Sequence, residues 1–390
     1  MRLLHTSDWH LGRSFHGVDL LAAQASVVDA LVDVVRSERV DAVLVAGDLY
    51  DRALPPVEAV ELWGQALERL ADAGAAVIAI SGNHDSARRL GGGGVRLLER
   101  AAVHLRTDVR AAGSPVLLAD EHGEVAVYPV PYLDPDTARW LLDADGEAAP
   151  APRSHAAVLR AALDRCRADL RGRRGVRSVA MAHAFVAGGT ACDSERALSV
   201  GGAGEVPPGA LAGFDYVALG HLHGRQVVGD GAVRYAGSPL PYSFSEAGHV
   251  KGAWLVELGA GGLGAVEAVP MPVPRRLVRL RGRLDDLLAS SAHGEAEAAF
   301  VSVTLTDPAC PAGAMRALQR RFPHAVELSW APEGGLVHLG DSYAARVRQP
   351  DDLAVVTAFV SHVRNAPPTE VERALLGEIV ASAGRQPVGV

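Results

Sequence analysis

The sequence predicts a layered α/β fold, followed by a small α+β module and a helical hairpin. Short β-branched runs alternate with amphipathic stretches over roughly the first 260 residues, which is typical of helices that cover the faces of a sheet. A Gly/Pro-rich segment at 259–274 then changes the composition, and we interpret it as a linker. With 390 residues, the chain is long enough for one large core and one or two smaller modules.

Apolar runs bounded by turn residues predict the strands, and apolar residues three or four apart predict the helices. In chain order, the large domain is expected to contain strands at 2–7, 41–46, 75–81, 125–130, 178–182, 215–219, 232–236 and 253–258. Helices are expected between these strands at 19–39, 57–73, 134–142 and 154–170.

The elements after the linker predict the smaller parts of the chain. Four elements indicate an α+β module: an element at 276–281, a helical stretch near 284–291, a strand at 300–305 and a helix at 312–322. Two further helices are expected at 351–364 and 369–383, and Thr369 with Glu372 forms a capping box that would open the second. Their apolar faces have no core of their own, so a partner-binding hairpin is one interpretation. Packing against the chain's own large domain is the other.

The composition is that of a soluble protein, with 48% hydrophobic and 22% charged residues and no apolar run near the ~20 residues that cross a bilayer. The first residues leave no room for a signal peptide, and three scattered cysteines do not suggest a disulfide framework, so a cytoplasmic location is expected. The net charge of -8 argues mildly against nucleic acid, although a carboxylate-rich metal site contributes to it. Arginines cluster at 160–177 and 275–283. Solvent-exposed helix faces are one interpretation of these clusters, and a surface that faces DNA is the other.

Five short motifs rich in Asp, Asn and His follow predicted strands. They are Asp8-Trp9-His10, Gly47-Asp48-Leu49-Tyr50-Asp51, Gly82-Asn83-His84-Asp85, His183 and Gly220-His221-Leu222-His223. Ligands and catalytic groups collect at the carboxyl ends of strands in open α/β sheets. Carboxylate and amide oxygens mixed with imidazoles suit Mn²⁺, Fe²⁺ or Zn²⁺ at a site that also binds water.

The spacing within the motifs favours a shared site. In Asp8-x-His10 and His221-x-His223, residues two apart in an extended segment point to one side and can reach one centre. The glycines that open the second and third motifs allow tight turns after strands. Each motif alone has a simpler explanation, such as a turn, a cap or a buried histidine. The ordered set of five is what predicts a metal centre.

In this order, the motifs resemble those of the calcineurin-like metallophosphoesterases: Asp-x-His, Gly-Asp-x-x-Asp, Gly-Asn-His-Asp/Glu, His and Gly-His-x-His. More narrowly, the chain resembles the SbcD family of bacterial nuclease subunits. That likeness rests on the terminal helices and on three segments: Thr6-Ser7-Asp8-Trp9-His10-Leu11-Gly12-Arg13, Tyr216-Val217-Ala218-Leu219-Gly220-His221-Leu222-His223 and Tyr235-Ala236-Gly237-Ser238-Pro239. It implies a nuclease domain at 1–270 built as a sandwich of mixed β-sheets flanked by helices, a DNA-positioning capping domain at 275–335 and an ATPase-binding helical hairpin at 349–386.

The resemblance also implies a role for each matching residue. The metal ligands fall into two sets that share Asp48: Asp8, His10 and His223 for one ion, and Asn83, His183 and His221 for the other. His84 would stabilise the developing charge or protonate the leaving oxygen, with Asp85 orienting it. Asp51 stands where several relatives have a His associated with exonuclease action, so the balance of exonuclease and endonuclease activity stays open.

The implied activity is metal-dependent hydrolysis of DNA, as an exonuclease and as a single-strand or hairpin endonuclease. Two divalent cations, with Mn²⁺ expected, would lower the pKa of a water and clamp the attacking and leaving oxygens. No Ser or Cys nucleophile motif offers a covalent route. The relatives form homodimers within a heterotetramer that contains an SbcC-type coiled-coil ATPase, and this complex acts in DNA repair and recombination.

Two rival functions also fit the residues. The first is a phosphoesterase for cyclic nucleotides or phosphoproteins, although phosphatases usually follow the second motif's Asp with Arg-Gly and this chain has Asp51-Arg52-Ala53. Neither class is expected to carry the additional module and terminal helices. The second rival is a non-enzymatic dimeric scaffold for the ATPase. All five motifs are intact, and this argues against a scaffold without catalytic activity.

Overall fold

A computed structural model of the chain describes residues 1–92, 94–143, 150–196, 205–229, 231–333, 352–364 and 367–383. The chain divides into two units, Met1–Pro274 and Arg275–Val390. Among the described residues, none of the helices combines the length and apolarity that a membrane crossing requires.

Strands and helices alternate along the first unit. The strands are β1 (Arg2–Thr6), β2 (Ser14–Phe15), β3 (Val18–Asp19), β4 (Ala42–Ala46), β5 (Ala76–Ile80), β6 (Val103–Arg106), β7 (Val116–Asp120), β8 (Gly123–Pro129), β9 (Arg177–His183), β10 (Tyr216–Gly220), β11 (Gln226–Val228), β12 (Val233–Tyr235), β13 (Gly252–Gly259) and β14 (Gly262–Pro270). The helices are α1 (Leu21–Glu38), α2 (Val57–Asp72), α3 (Ala87–Leu90), α4 (Val95–Arg100), α5 (Pro135–Leu141) and α6 (His155–Arg171).

Two mixed sheets form the centre of this unit. The first has the strand order β14-β13-β1-β4-β5-β6, and the second has the order β11-β12-β10-β9-β8-β7. Strands β1, β4, β5 and β6 are parallel, and β13 and β14 are antiparallel to their neighbours. In the second sheet β12, β10, β9 and β8 are parallel, and the edge strands β11 and β7 are antiparallel. Parallel central strands place their carboxyl ends at one edge of each sheet.

The two sheets pack face to face with helices outside them. Leu44 and Ile78 of the first sheet share a core with Val127 and Met181 of the second. Every residue of β4 is buried, as expected for a strand covered on both faces. Helices α5 and α6 pack on the outer face of the second sheet, and α2 lies against α1 and β5. The predicted layered α/β fold is confirmed.

One buried polar bond joins the sheets. Nδ1 of His5 on β1 accepts from the hydroxyl of Tyr216 on β10 at 2.8 Å, while its Nε2–H donates to the Leu219 carbonyl at 3.1 Å. Burial lowers the pKa of His5 to about 3, so the ring is neutral at pH 7. The neutral ring can therefore both donate and accept, which satisfies both of its nitrogens inside the core.

The interpretation of 259–274 as a linker is wrong. Residues Gly262–Pro270 form β14, which pairs with β13 along nearly its whole length. The glycines belong to the hairpin turn, where Gly262 has a φ of +101°, and the proline ends an edge strand. The glycines and the first proline that change the composition here therefore belong to a hairpin turn and an edge strand. Only the few residues between β14 and Arg275 separate the units along the chain.

The second unit contains a parallel three-stranded sheet of order β15-β16-β17, made of β15 (Leu277–Gly282), β16 (Phe300–Leu305) and β17 (Ala325–Trp330). Helices α7 (Leu284–Ala289) and α8 (Ala314–Arg321) share its core, in which Phe322 is fully buried. Helices α9 (Asp352–Arg364) and α10 (Glu370–Ala383) contact each other. The ends of the predicted hairpin domain, 349–351 and 384–386, lie outside the described residues.

The capping box predicted for the last helix is confirmed. The amide of Thr369 donates to the Glu372 carboxylate at 2.8 Å, and the amide of Glu372 donates back to Oγ1 of Thr369 at 3.3 Å. This reciprocal pair satisfies two amides that the first turn of a helix leaves without partners.

Candidate metal centre

The five motifs meet at one end of the sandwich in the first unit. Asp8 follows β1, Asp48 follows β4 and Asn83 follows β5, whereas His183 ends β9 and His221 follows β10. The carboxyl ends of these parallel strands share one edge, which brings together side chains more than 200 residues apart in the sequence. Each of the seven predicted ligands lies within 3.6 Å of another member of the set.

Several of these residues have a strained backbone. Among the described residues, seven other than glycine have a positive φ, and four of them are Asp8 (53°), His10 (45°), Asp48 (50°) and His221 (106°). Side chains with a β-carbon rarely adopt this conformation, and strain of this kind concentrates at functional sites. Backbone bonds hold the turns, because the amide of Asp8 donates to Gly47 and that of His10 to Asp48, each at 3.0 Å.

The first predicted set of ligands is close-packed. One ligand atom from each of Asp8, His10 and His223 lies within 4.8 Å of the other two. The Nε2 atoms of His10 and His223 face each other at 3.1 Å. Nδ1 of His10 is buried and has no hydrogen-bond partner in the described structure. Facing ring nitrogens of this kind are a suitable place for a cation.

The second predicted set is organised around Asn83. Its Oδ1 lies 2.8 Å from Nε2 of His183 and 3.3 Å from Nδ1 of His221. Nδ1 of His183 donates to the Ala46 carbonyl at 3.0 Å, which leaves Nε2 with its lone pair toward Asn83 and Asp48. The amide oxygen and the two rings thus present donor atoms to one point.

Asp48 lies between the two sets, as its predicted bridging role requires. Its Oδ2 is 3.6 Å from Nε2 of His10 and 3.6 Å from Nε2 of His183. It forms further candidate ligand groups with Asp8 and His183 and with His10 and His84. The Asp48 carboxylate is therefore within reach of ligand atoms from both predicted sets.

The charge states of the side chains fit divalent cations. Burial lowers the pKa of His183 and of His223 to about 4. Burial also holds the pKa of His10 and of His221 well below its ordinary value, so all four rings are neutral electron-pair donors at pH 7. Burial also raises the pKa of Asp48 to about 6, and burial and then Asp48 raise that of Asp8. Buried carboxylates beside neutral imidazoles need a positive charge to compensate them.

The predicted role of Asp85 in orienting His84 does not match its contacts. Nδ1 of His84 donates to the carbonyl of Asp51 at 2.7 Å, which directs Nε2 toward Asp48. Asp85 instead accepts from the amides of Leu49, Tyr50 and Gly82 at 2.9–3.1 Å. Among the described contacts, the orienting group of His84 is thus the main chain of Asp51. Asp85 ties together the turns after β4 and β5, which carry Asp48 and Asn83.

Close approach explains the glycines of three motifs. A Cβ on Gly82 would lie 2.8 Å from Cγ of Asp48, and one on Gly47 would lie 2.9 Å from Cγ of His183. A Cβ on Gly220 would collide with the carbonyl oxygen of Ala46, which accepts from Nδ1 of His183. A side chain at Gly82 or Gly47 would therefore displace a candidate ligand, and one at Gly220 would displace the carbonyl that orients His183.

Sequence reasoning missed the side chains behind the ligands. Ser194 contacts Nδ1 of His223 at 2.7 Å, and Glu195 accepts the His223 amide at 2.6 Å. Ser194 in turn contacts the buried Glu246. These residues come from loops whose sequence has no distinctive spacing, so only the three-dimensional structure identifies them.

The arginines at 160–177 are used partly in structural contacts. Arg167 donates to the carbonyls of Ala210 and Ala212, and Arg173 pairs with Asp169. Arg177 is buried and pairs with Asp120. In the second unit, by contrast, the arginines on and beside β15 are exposed, namely Arg276, Arg279, Arg281 and Arg283.

Residues 1–152 match the family model of the calcineurin-like phosphoesterases. The chain is also similar to the protein TT1561 of Thermus thermophilus, at 14% identity over 69% of this chain and 98% of that chain, with a TM-score of 0.40. It is similar to a dimetal phosphatase from Danio rerio, at 13% identity over 70% and 99% of the two chains, with a TM-score of 0.39. GAP50, the anchor in the inner membrane complex of Plasmodium, has 11% identity over 86% and 98%, with a TM-score of 0.34.

The matched stretch includes Asp8, His10, Asp48 and Asn83 and ends before the three histidines of the second sheet. Those histidines nevertheless complete the same cluster in space. The family match and the candidate ligand groups together support a metal-dependent phosphoesterase.

Proposed function

We propose that the chain is a two-metal nuclease that hydrolyses DNA phosphodiester bonds, as an SbcD-like subunit of an ATP-driven repair complex. The observation that carries the hydrolytic part is the convergence of seven candidate ligands around Asp48, described above. All three calcineurin-like motifs in the matched stretch are intact, which argues against a purely structural scaffold.

Each ion has a defined set of residues to hold it. Asp8, His10, Asp48 and His223 would hold one cation, and Asn83, His183, His221 and Asp48 the other, with Mn²⁺ as the expected metal. When bound, a pair of such cations supplies an activated water and neutralises charge on the phosphate. The buried, uncharged histidines keep competing protons off the ligand nitrogens at neutral pH.

His84 acts on the substrate rather than on the ligands in this proposal. The Asp51 carbonyl holds its Nδ1–H, so the ring keeps one orientation throughout. In the imidazolium form, Nε2 carries a proton that can be donated to the oxygen leaving phosphorus. The ring packs edge-on against His10 at 4.6 Å between centroids, which keeps it beside the ligand cluster.

The DNA part of the proposal is supported by the second unit. Its β15 carries exposed Arg279 and Arg281 two residues apart, on one face of the strand, with exposed Arg283 just beyond. Positive side chains in a row match the charge of a phosphate backbone. Phosphatases that act on small phosphoesters do not require such a unit.

The partner part is supported by the terminal helices. Phe359 on α9 and Val371, Leu375 and Ile379 on α10 are between 52% and 80% exposed. Exposed apolar residues on paired helices suit a helical partner, here the coiled coil of an SbcC-type ATPase. The homodimer and the heterotetramer belong to the same proposal.

A substrate panel tests the activity. The purified full-length chain would be incubated with Mn²⁺ or EDTA and with linear duplex, hairpin or single-stranded DNA, cyclic nucleotides or phosphopeptides. We expect Mn²⁺-dependent cleavage of DNA that EDTA and the Asp48→Asn substitution both abolish. Turnover of cyclic nucleotides or phosphopeptides without cleavage of DNA would contradict the nuclease proposal. It would favour a phosphoesterase for cyclic nucleotides or phosphoproteins instead.

A deletion tests the partner. A chain that ends before Gln349 is expected to cleave short DNA with Mn²⁺ but to lose co-purification with the ATPase. Retained co-purification would place the partner surface elsewhere on the chain.

A further inference from the structure

A buried polar relay lies behind His223 and ends at Lys251, the only lysine in the sequence. Ser194 Oγ is 2.7 Å from Nδ1 of His223 and 2.6 Å from Oε1 of Glu246. The other oxygen of Glu246 pairs with the ammonium of Lys251. Glu246 and Lys251 are 1% and 3% exposed, so water does not compete for these bonds.

The direction of every hydrogen bond in the relay follows from its two fixed ends. An ammonium can only donate, and a carboxylate can only accept. The Ser194 hydroxyl therefore donates its proton to Glu246 and has to accept from Nδ1 of His223. With the proton on Nδ1, the neutral ring keeps a lone pair on Nε2, the atom that faces His10 in the ligand cluster.

Lys251 has three acceptors for its three protons. Its Nζ donates to the carbonyl of His223 at 2.8 Å, to Oγ of Ser238 at 2.9 Å and to Glu246. It therefore fixes the main chain of His223 directly and the ring through the relay. A planar guanidinium has the same charge but cannot point three donors at acceptors grouped around a single atom, which explains a lysine here.

We propose that Lys251 is a positioning residue for metal binding, which acts through Glu246 and Ser194 to keep Nε2 of His223 free as an electron-pair donor. The inference rests on the proposed metal centre and adds to it a residue that touches neither metal nor substrate. Groups behind metal-bound histidines commonly set the tautomer in this way, and their loss weakens metal binding by about 10- to 100-fold.

The test compares Lys251→Met with Arg177→Met. Arg177 is a matched control, because it is also a buried cation that donates to a carboxylate and to two carbonyls, at the other end of β9 from His183. For each protein, Mn²⁺ binding would be measured by titration calorimetry, and the proton position on His223 by ¹⁵N NMR without metal. Melting temperatures would report the loss of stability that both substitutions share.

We expect Lys251→Met to bind Mn²⁺ about 10- to 100-fold more weakly and to lose the preference for the Nδ1–H form, while Arg177→Met keeps both. Unchanged affinity and tautomer in Lys251→Met would show a purely structural role and overturn the inference, with the proposed function intact. A wild-type chain that binds no Mn²⁺ would overturn the proposed function and the inference together.

Ser194→Ala keeps the test decisive if Lys251→Met does not fold. This substitution leaves the Glu246–Lys251 pair intact and removes only the hydroxyl between Glu246 and His223. Nδ1 of His223 would then face Oε1 of Glu246 over 3.8 Å, which is too long for a hydrogen bond. The same loss of tautomer preference and of Mn²⁺ affinity is expected, and its absence would overturn the relay.

Discussion

The main-chain amide of His84 donates to Oδ1 of Asp48 over 2.9 Å. Oδ2 of the same carboxylate faces the ring nitrogens of His10 and His183. The Asp48 side chain thus links the main chain of His84, the proposed general acid, to both sets of candidate ligands. A change at Asp48 should therefore alter metal binding and the position of His84 together, whereas a change at His84 should leave the ligands in place.

Asp48→Asn is expected to stabilise the metal-free protein at neutral pH. Burial raises the pKa of Asp48 from its ordinary 3.8 to about 6, so between about pH 4 and pH 6 the folded chain holds a proton that the unfolded chain has released. The stability that this carboxyl contributes is present below pH ~4 and is lost as the pH rises through ~6. Asparagine has no such titration, so the difference in unfolding free energy should grow with pH to on the order of 3 kcal/mol.

Urea unfolding in EDTA at several pH values between about 4 and 7 measures that difference for the variant and the wild type. A difference that does not change with pH would contradict the raised pKa. Adding Mn²⁺ should reverse the ranking, because a metal that binds only the folded wild type stabilises it and not the variant.

His84→Gln is expected to reduce DNA cleavage by at least about 10²-fold, because glutamine cannot supply a proton to the leaving oxygen. Mn²⁺ stoichiometry should stay at the wild-type value, since the seven proposed ligands are unchanged. The loss of one Mn²⁺ per chain would instead make His84 a ligand, in the group that it forms with His10 and Asp48.

The site was more predictable from the sequence than the groups that support it. Each of the motifs follows or ends a buried central strand, and the order of all five along the sequence marks residues such as Asn83 and His183. Glu246 and Lys251 lie in the connection between β12 and β13, where charged residues usually face water. Their burial depends on contacts with Ser194 and His223 from other parts of the chain, which no local pattern encodes.

The same distinction applies to the fold. Strands β1, β4 and β5 were predicted within a residue or two, because burial on both faces makes them continuous apolar runs. The edge strands β6, β7 and β14, and β17 in the second unit, were missed. Only one residue is buried in each of β7, β14 and β17, and two are buried in β6, so none has a continuous buried run. Pairing with a neighbour, rather than composition, makes them strands.

Tyr216→Phe is expected to cost roughly 1–2 kcal/mol of unfolding free energy, because it leaves Nδ1 of buried His5 without its donor. Tyr128→Phe is the control, since its hydroxyl bonds to a partly exposed Asp169, where water can replace it. Chemical denaturation of both variants should show the larger loss for Tyr216, and equal losses would contradict the role of the His5 bond. Mn²⁺ affinity should be unchanged in both.

Gly82→Ala is expected to weaken Mn²⁺ binding by at least about tenfold, a loss on the order of 1.4 kcal/mol. The new methyl group would lie 2.8 Å from Cγ of Asp48 and closer still to its Oδ1, so the carboxylate that both cations share has to move. Gly64→Ala is the matched control, because a Cβ in the middle of α2 meets nothing within 4 Å.

Alanine is the better helix former, so Gly64→Ala should raise the unfolding free energy by about 0.5–1 kcal/mol and leave Mn²⁺ affinity unchanged. Calorimetric titration and urea unfolding of both variants separate the two effects. Wild-type Mn²⁺ affinity in Gly82→Ala would show that Asp48 does not need its present position to bind metal, and the assignment of Asp48 as the bridging ligand would then be wrong.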